Sequence, residues 1–474
     1  MKKDKFEDLN IISKTESSLL DSFKKSNLKQ FDIDNNVVKM FETQAKNSPN
    51  NISLVYQNES VTFKQVKEYS DAIATNLIKK GYQKGDIACI FLPRNQWTPI
   101  VALGIVKAGL AFEPLDAIYP DERLAFMAED SKAKVMFTVP ELAKRIPKHS
   151  GEKIYLEEVK DFKPQAMALP EISPHDLFVI LYTSGSTGVP KGVLLEHCGF
   201  TYFIQEYIKE FKLTPKTHMS SYASFGFDAG VDDMFNALSS DATLYIVDEA
   251  MRLDLKKTND YIEKNKVSFA FFTTQVARQL VTDYPHKYLK TVITGGEKLV
   301  PFQVPSTPRI VNAYGPTEAT VFMSSESLKK IKYYRIPIGK PIEICKTYIV
   351  DKNLKELPYG VPGELLIAGA QVARGYLNRD EETKKHFAVK PFTKDPSFQR
   401  IYRTGDVVRY LKDGRLDIIG RKDSQVKVRG FRIELSEVEE IIRKFQGIKD
   451  ATVIALPDPN GGMYIASYVV SDQK

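Results

Sequence analysis

The sequence predicts an α/β protein whose main sheets are parallel, and three observations lead to this prediction. Short apolar segments typical of buried strands recur along most of the chain and alternate with longer segments of helical periodicity. Strands that alternate with helices form parallel sheets covered on both faces. After about Gly339 the pattern changes to short strands separated by Gly and Asp turns, which predicts a small β-barrel-like region. At 474 residues the chain is long enough for about three domains.

The first elements follow from these patterns. Residues up to about Asn36 are polar and lysine-rich, and we interpret them as a leader or connector outside the core, with Leu19, Leu20 and Phe23 at helical spacing. The predicted helices of the next part are Phe63 to Lys79 and Thr98 to Ala108. The predicted strands are Ile87 to Leu92, Ala111 to Pro114, Val135 to Thr138, Leu177 to Tyr182, Thr243 to Val247, Phe269 to Phe272, Thr291 to Thr294 and Ile310 to Ala313.

The last part of the chain has a different sequence pattern. Val361 to Gly369 and Asp406 to Leu416 are predicted as short strands with turns. The polar segment Gly420 to Asp423 is a candidate hinge, and Gln425 to Val428 is a further strand. An amphipathic helix is expected over Ser436 to Phe445, with a serine cap at its start.

Composition and charge exclude several classes of protein. The hydrophobic content of 43% is ordinary for a globular protein, and the three cysteines lack metal-ligand spacing and suit a reducing cytoplasm. No apolar run reaches membrane-spanning length, and the charged N-terminus lacks the apolar segment of a signal peptide. The net charge of +7 fits anionic ligands or an acidic partner, and a solvated surface explains it equally well. No basic-aromatic cluster indicates nucleic acid.

The segment Tyr182 to Gly192 is the most informative of the chain. Its glycines allow backbone N–H groups to turn inward, its hydroxyls add further donors, and its lysine supplies a positive charge, which together suit a polyphosphate. These residues are Thr183, Ser184, Gly185, Ser186, Thr187, Gly188 and Lys191. A Walker loop would open a helix after Gly-Lys-Ser/Thr, whereas an apolar run follows here, so we predict a strand–loop–strand hairpin.

Further motifs accompany this loop, and each has an ordinary structural explanation when taken alone. Asn312 to Glu318 and Tyr402 to Asp406 have turn compositions, Gly363 to Leu377 fits a β-meander, and Gly420 to Glu434 fits a solvated basic strand. Two more are Val106 to Asp116 with Tyr119 to Leu124, and Phe227 to Val231. In this order and spacing, the set closely resembles the adenylate-forming superfamily and, within it, the adenylation domains of nonribosomal peptide synthetases.

The resemblance covers the chain from about Val37 to its end. It implies an N-terminal core of two doubly wound α/β subdomains plus a β-barrel over residues 37–420, a partial α+β C-terminal subdomain over 421–474, and a connector over 1–36. The implied reaction joins an α-amino acid to Mg·ATP to give aminoacyl-AMP and pyrophosphate. The acyl group then passes to the phosphopantetheine thiol of a peptidyl carrier protein, and a condensation domain is an expected neighbour.

The resemblance also implies roles for individual residues. The loop from Thr183 to Gly188 and Lys191 would hold the β- and γ-phosphates, Thr317 would contact the α-phosphate, and Glu318 would ligate Mg²⁺. Tyr314 would stack on adenine, and Asp406 would accept both ribose hydroxyls with Arg421 beside it. Asp423 would be the hinge, and Arg429 with Gly430 would approach the pantetheine. The remaining nucleotide-pocket positions are Gly295, Gly296, Glu297, Asn312, Ala313 and Gly315.

Asp228 would pair with the substrate α-ammonium. The family's side-chain pocket maps onto Ala229, Asp232, Gln275, Ile293, Gly295, Ala313, Val321 and Phe322, and Gln275 lacks the usual neighbouring proline. A buried carboxylate needs a partner, so Asp232 favours a substrate with an amine, amide or hydroxyl. Alternatively Asp232 faces water or a neighbour, and Ile293, Val321 and Phe322 select a branched aliphatic such as valine.

The sequence departs from the family pattern at its end. The family's Pro-x-x-x-Asn-Gly-Lys motif, whose lysine bridges the substrate carboxylate and AMP, does not occur, and Lys474 lacks the preceding Asn-Gly. We therefore expect a fragment that binds ATP and amino acid but forms adenylate slowly. Rival functions are an acyl- or aryl-CoA synthetase of the same superfamily, which Asp228 disfavours, and a non-catalytic binding module.

Overall fold

A computed structural model describes residues 12–185, 189–331, 333–387, 391–423, 425–428, 430–458 and 462–471. Its helices are α1 Lys14–Phe23, α2 Val37–Asn47, α3 Phe63–Lys79, α4 Trp97–Lys107, α5 Asp121–Asp130, α6 Pro140–Ala143, α7 Leu156–Asp161, α8 His197–Phe211, α9 Asp228–Ser240, α10 Glu249–Arg252, α11 Leu255–Lys264, α12 Thr274–Asp283, α13 Asp380–Phe387 and α14 Leu435–Arg443. Within these described ranges, no helix combines the length and the apolar character needed to cross a membrane.

The strands are β1 Ile52–Tyr56, β2 Glu59–Thr62, β3 Ile87–Phe91, β4 Ala111–Pro114, β5 Val135–Thr138, β6 Glu152–Tyr155, β7 Leu177–Thr183, β8 Lys191–Glu196, β9 His218–Ser221, β10 Thr243–Ile246, β11 Phe269–Thr273, β12 Thr291–Gly295, β13 Arg309–Tyr314, β14 Ser324–Ser327, β15 Lys340–Pro341, β16 Cys345–Val350, β17 Gly363–Gly369, β18 Gly375–Tyr376, β19 Ile401–Tyr410, β20 Leu416–Arg421, β21 Gln425–Val428, β22 Phe431–Glu434, β23 Ile448–Pro457 and β24 Met463–Ser471. The strands predicted between Ile87 and Ala313, and the strand Gln425 to Val428, occur with ends shifted by one residue at most. β17 begins two residues after the predicted Val361, and the predicted segment Asp406 to Leu416 covers the end of β19, a turn and the start of β20. The hairpin expected around the glycine-rich loop is also present, because β7 and β8 pair antiparallel.

The fold contains two large sheets. One has the order β15-β14-β13-β12-β11-β9-β10-β1-β2, and its strands from β13 to β1 run parallel. The other has the order β18-β8-β7-β4-β3-β5-β6, and its strands from β7 to β6 run parallel. Antiparallel strands close both edges of the first sheet and the β18–β8 edge of the second, whose other edge is the parallel strand β6. The prediction of an α/β protein with mainly parallel sheets is confirmed.

The region predicted as a small barrel is a four-stranded antiparallel sheet of order β16-β17-β19-β20. Beyond it lie two hairpins, β21–β22 and β23–β24, with α14 between them. The serine cap expected on the last helix is wrong. Helix α14 begins at Leu435, no side chain caps it, and Ser436 lies inside its first turn.

An aromatic cluster holds the two large sheets together. Phe178 of β7 is completely buried, and its ring lies 4.7 Å from Phe200, 4.8 Å from Phe235 and 5.4 Å from Phe112. Phe235 belongs to α9, whose residues 229–240 are all buried. This packing holds β7 against α9. The functional site is built at the end of β7 and at the start of α9.

The leader is not outside the core, contrary to the sequence-based interpretation. It forms α1, in which Leu20 is 1% exposed and belongs to the main hydrophobic cluster. The Phe23 ring lies 5.3 Å from Tyr410, and Lys24 pairs with Glu356 at 2.7 Å. The local apolar spacing predicted the helix, but the surface that covers it comes from residues more than 300 positions later in the chain.

Truncating Leu20 should therefore destabilise the protein. We expect Leu20→Ala to lower the free energy of unfolding by about 2–5 kcal/mol, the usual cost of a buried leucine side chain and the cavity left behind. Leu253→Ala is the matched control, because Leu253 is 88% exposed. Urea unfolding of both variants measures the difference, and equal stabilities would show that α1 does not contribute to the core.

Candidate functional site

A cavity of about 330 Å³ lies between the large sheets, the four-stranded sheet and the β21–β22 hairpin. Many of the predicted site residues line it: Thr183, Ser184, Asp228, Gly296, Gly315, Thr317, Asp406 and Arg421. A second cavity of about 320 Å³ shares part of this wall and is lined by Gly296, Glu297, Asn312, Ala313, Tyr314, Asp406, Arg421 and Asp423. The fold thus gathers residues from distant motifs into two adjoining cavities.

The glycine-rich loop connects β7 to β8 at the edge of these cavities. Thr183 ends β7 opposite Lys191, which begins β8. A side chain at Gly185 would put its Cβ 2.0 Å from the Val189 carbonyl oxygen, so the tight turn requires glycine there. Ser186, Thr187 and Gly188 lie outside the described residues. Lys191 is 3% exposed, and burial lowers the pKa of its ammonium.

Glu318 is the most strongly held carboxylate of the site. It lies in the turn Thr317–Ala319 after β13 and is fully buried. The Tyr376 hydroxyl donates to Oε1 at 2.7 Å, and Nη1 of Arg432 donates to Oε1 and Oε2 at 3.0 and 2.9 Å. Burial opposes ionisation, but the charges of Arg432 and Lys191 outweigh it and lower the pKa of Glu318 to about 2. Glu318 is therefore an anion that faces cations.

The backbone just after Glu318 is strained. Thr320 and Val321 have φ values of 50° and 65°. β-Branched residues rarely adopt this left-handed region, and such strain persists only where the surroundings enforce it. The carbonyl of Gln371 accepts a hydrogen bond of 2.6 Å from the Thr320 hydroxyl, which holds the turn in place.

Asp228 stands at the start of α9, directly opposite this turn. Its Oδ2 accepts a hydrogen bond of 2.7 Å from the Thr317 hydroxyl, and its Oδ1 accepts one of 2.8 Å from the backbone of Ala229. Burial raises the pKa of Asp228, although these hydrogen bonds oppose the shift. A cationic group in the cavity would reverse the effect of burial, so the position is suited to a positively charged ligand.

Asp406, on β19, is held from two sides. Nη1 of Arg421 donates to its Oδ1 at 2.6 Å, and the Tyr314 hydroxyl donates to its Oδ2. Arg421 also binds Asp423 through two hydrogen bonds of 2.7 Å. One arginine therefore links the four-stranded sheet to Asp423, at the start of the segment that leads into β21.

The second cavity is formed where β12 and β13 end. Gly295 cannot carry a side chain, because a Cβ would lie 2.6 Å from the carbonyl oxygen of Ala313. Asn312 uses its amide to donate to the Pro337 carbonyl at 2.9 Å, so its side chain braces the cavity wall. The aromatic ring of Tyr314 faces the Lys427 ammonium at 5.6 Å. The second cavity thus combines the aromatic ring of Tyr314 with the closely packed backbone of Gly295 and Ala313.

The residues mapped onto a side-chain pocket are brought together only in part. Asp232 and Phe322 both lie beside Tyr207. Burial, together with Asp232, raises the pKa of the Tyr207 hydroxyl, and the Phe322 ring lies 6.1 Å from the Tyr207 ring. Asp232 accepts a hydrogen bond from Asn236. Ala229 lies on α9, Ile293 on β12, and Val321 and Phe322 in the segment after Glu318. Gln275 lies elsewhere, against Gly462 of the last hairpin.

Three contributors to the site were missed in the sequence. Tyr376, Lys427 and Arg432 all lie in segments with an ordinary structural explanation, and Lys427 and Arg432 belong to the run described as a solvated basic strand. Instead, both line the first cavity, and Tyr376 is 3% exposed. The only signal was the density of basic residues in a short strand pair, which does not reveal the direction in which they point.

The chain has the fold and the family signature of the adenylate-forming superfamily. The sequence profile described as AMP-binding enzyme matches residues 41–377, more than half of the chain. The chain belongs to the family of AMP-binding enzymes.

Within this family the chain is similar to peptide synthetases. It is 37% identical over 432 residues to bacitracin synthase 1 of Bacillus licheniformis, an alignment covering 91% of this chain and 8% of that protein. It is 34% identical over 470 residues to surfactin synthase subunit 2 of Bacillus subtilis (strain 168), covering 98% of this chain and 13% of that protein. The chain therefore spans only a small part of the length of these relatives.

Solved structures agree with this similarity. The artificially fused adenylation–PCP di-domain NpsA-ThdA from Klebsiella oxytoca matches with a TM-score of 0.84 and 23% identity, covering 92% of this chain and 89% of that one. The four-domain nonribosomal peptide synthetase holo-AB3403, bound to AMP and glycine, matches with a TM-score of 0.73 and 27% identity, covering 98% and 35%. The resemblance to synthetase adenylation domains, inferred from the motifs, is confirmed, as is the fold class.

Proposed function

We propose that this chain activates an α-amino acid with ATP and passes it to the phosphopantetheine thiol of a peptidyl carrier protein. The proposal rests on one observation: Asp228, a partly buried carboxylate suited to an ammonium group, lines the same cavity as Asp406 and the hydroxyls of Thr183, Ser184 and Thr317. A ligand with an amine, a carboxylate, a ribose and phosphates satisfies all of these groups. The adenylation–PCP architecture named for NpsA-ThdA supports the carrier as partner.

This reaction depends mainly on neutralising the negative charge of the phosphates. An oxygen of the substrate carboxylate attacks the α-phosphorus of ATP, the bond to the bridging oxygen breaks, and pyrophosphate leaves with the electron pair. Catalysis of this kind depends on positioning and on stabilising negative charge. Lys191 and the loop hydroxyls would hold the β- and γ-phosphates, Thr317 would contact the α-phosphate, and Asp406 would accept the ribose hydroxyls. Tyr314 would stack on the adenine.

The oxygen atoms at Glu318 are suitable ligands for a Mg²⁺ ion. A hard cation prefers oxygen ligands, and Glu318 offers an ionised carboxylate beside the Thr317 hydroxyl. When bound, the ion would supply positive charge to the phosphate oxygens. Glu318 would hold the ion, and Arg432 and Lys191 are the nearby protein cations whose charges act on Glu318.

Two measurements test the proposal. Calorimetry should detect binding of Mg·ATP and of an α-amino acid to the same protein, and amino-acid-dependent exchange of pyrophosphate into ATP should detect adenylate formation. Binding of a fatty or aryl acid in place of any α-amino acid would instead support the acyl-CoA synthetase alternative. Binding of neither would overturn both.

We further propose that the amino acid carries an amine, amide or hydroxyl on its side chain. Asp232 and Asn236 are a buried polar pair, and Oδ1 of Asn236 is buried without a hydrogen-bond partner among the described residues. Burial, with the neighbouring Asp233 charge, raises the pKa of Asp232 well above its ordinary value. A ligand that donates a hydrogen bond to this pair would therefore be bound more strongly.

A panel of amino acids with wild-type protein and Asp232→Asn tests this substrate class. We expect polar substrates to bind the wild type best and to lose up to about tenfold in affinity in the variant, the usual effect of one hydrogen bond. Thermal-shift titrations give the order of preference. A preference for valine-like substrates that the substitution leaves unchanged would assign Asp232 to internal packing with Asn236.

A further inference from the structure

Tyr376, on β18, contacts both of the charged residues that the proposed function assigns to the phosphates and the metal. Its hydroxyl donates a hydrogen bond of 2.7 Å to Oε1 of Glu318, and the Lys191 ammonium lies 4.7 Å from the centre of its ring. The side chain is buried, so both contacts are shielded from bulk water. One side chain thus joins the proposed metal ligand to the proposed phosphate lysine.

Strand pairing places Tyr376 beside Lys191. β18 pairs antiparallel with β8, and Tyr376 lies opposite Val193, two residues after Lys191 begins β8. Cross-strand neighbours and residues two apart along a strand share one face of a sheet, so the ring stands next to the lysine. The Tyr376 backbone N–H donates to the Thr383 hydroxyl at 2.9 Å, and the Phe387 ring lies 5.4 Å away. Both β8 and α13 therefore fix the position of the ring.

The segment before Tyr376 holds the turn that carries Glu318. The backbone N–H of Ala373 donates to the Glu318 carbonyl at 2.9 Å, and the Gln371 carbonyl accepts from the Thr320 hydroxyl at 2.6 Å. These contacts hold the main chain where its φ values are strained, and the Tyr376 hydroxyl holds the carboxylate itself. One short segment thus fixes both the backbone and the side chain of Glu318.

The two contacts of Tyr376 have different chemical effects. A hydrogen bond to a carboxylate fixes the orientation in which it can bind a metal ion, and loss of such a partner commonly costs about 10- to 100-fold in metal affinity. The electron-rich face of an aromatic ring attracts an ammonium group, and the attraction is larger where water is excluded. Because the ring has no net charge, it can hold Lys191 in place without neutralising the positive charge that a phosphate requires.

We propose that Tyr376 is a positioning residue for the adenylation reaction: its hydroxyl orients Glu318 for Mg²⁺, and its ring holds Lys191 in place for the β- and γ-phosphates. This inference rests on the proposed function. Tyr376 lines neither of the two cavities, so it acts through the two residues that it contacts.

The first test compares Tyr376→Phe with Tyr410→Phe. Both substitutions remove the hydroxyl of a buried tyrosine, and the control residue donates to the Thr347 carbonyl at 2.9 Å and lines neither cavity. Calorimetry without amino acid measures ATP affinity over a series of Mg²⁺ concentrations. Tyr376→Phe should need about tenfold more Mg²⁺ for half of the gain in ATP affinity, because Glu318 is no longer oriented. Its affinity for metal-free ATP should be unchanged, and Tyr410→Phe should match wild type in both measurements.

The second test examines the ring and keeps its shape. Pentafluorophenylalanine, introduced at position 376 by suppression of a stop codon, has nearly the shape of phenylalanine but lacks the electron-rich face that attracts an ammonium group. Compared with Tyr376→Phe, this protein should bind metal-free ATP about threefold more weakly, because Lys191 is no longer held. The same residue introduced at position 410 should leave ATP affinity unchanged.

Each outcome bears on one part of the inference. An unchanged Mg²⁺ requirement in Tyr376→Phe, or an equal change in Tyr410→Phe, would overturn the role of the hydroxyl. Equal affinities for metal-free ATP with phenylalanine and pentafluorophenylalanine at position 376 would overturn the role of the ring. In these cases the wild type still binds Mg·ATP and the proposed function stands. Absence of Mg·ATP binding by the wild type would overturn the proposed function as well.

Discussion

Replacing Asp228 with asparagine should abolish amino-acid binding and leave ATP binding almost unchanged. The substitution keeps the shape, and its Oδ1 can still accept from the Ala229 backbone while its Nδ2 donates to the Thr317 hydroxyl, which reverses that hydrogen bond; the charge is removed. Losing one partner of a buried charge pair costs about 2–5 kcal/mol, so we expect amino-acid affinity to fall by about 100-fold or more. Separate calorimetric titrations with amino acid and with Mg·ATP measure the two effects.

The control for this experiment is Asp260→Asn, which removes an exposed aspartate on α11 that pairs with Lys256 at 2.8 Å. It should leave both affinities unchanged. If Asp228→Asn still bound the amino acid with wild-type affinity, Asp228 would be a structural partner of Thr317 only. An equal loss of ATP binding would indicate that the substitution disturbs the turn around Glu318 instead.

The second large effect is expected at Asp406. Asp406→Ala should weaken ATP binding by about 100-fold or more, because each hydrogen bond to a charged group contributes about 1.5–3 kcal/mol and two ribose hydroxyls would lose their acceptor. The substitution also leaves Arg421 and Tyr314 without their shared partner. Amino-acid binding should change little, since Asp228 lies on a different element. Calorimetry with Mg·ATP gives the affinity.

A matched control separates lost recognition from lost stability. Asp417→Ala removes a second buried aspartate from the same sheet, where it pairs with Arg409 at 3.0 Å but lines neither cavity. Both variants should be destabilised to a similar degree in urea unfolding, because each removes a buried carboxylate from an ion pair: Asp406 from Arg421, which keeps Asp423, and Asp417 from Arg409 and Arg335. Only Asp406→Ala should lose ATP affinity, and a comparable loss in Asp417→Ala would remove Asp406 from the proposed ribose contact.

Local patterns were sufficient for most of the strands. The apolar runs of β4, β5 and β7 are short and bounded by polar residues or turns, so burial dictates their conformation wherever they lie in the fold. The leader shows the limit of this reasoning. Its apolar spacing indicated a helix, but whether Leu20 would be covered depended on partners far away in the sequence.

The functional site shows the same contrast between what local patterns predict and what they do not. Glycine-rich and Gly-Pro turns fixed where Thr183, Thr317 and Glu318 stand, since each follows a buried strand that must end there. No helix was predicted at the motif Phe227 to Val231, whose Asp228 begins α9 in the structure. That Thr317 donates to Asp228 was not predictable, because the two residues are 89 positions apart and belong to different elements.

The order and chemistry of the motifs alone determined the fold class, the family and the residues to suspect, because strand burial and turn formation are decided within a few neighbouring residues. Only the tertiary structure decided which charges meet. Arg432 and Glu318 are 114 positions apart, and no local pattern distinguishes an arginine that faces water from one that faces a buried carboxylate. Electrostatic pairing depends on distance in space, which the chain sets only after its sheets have packed.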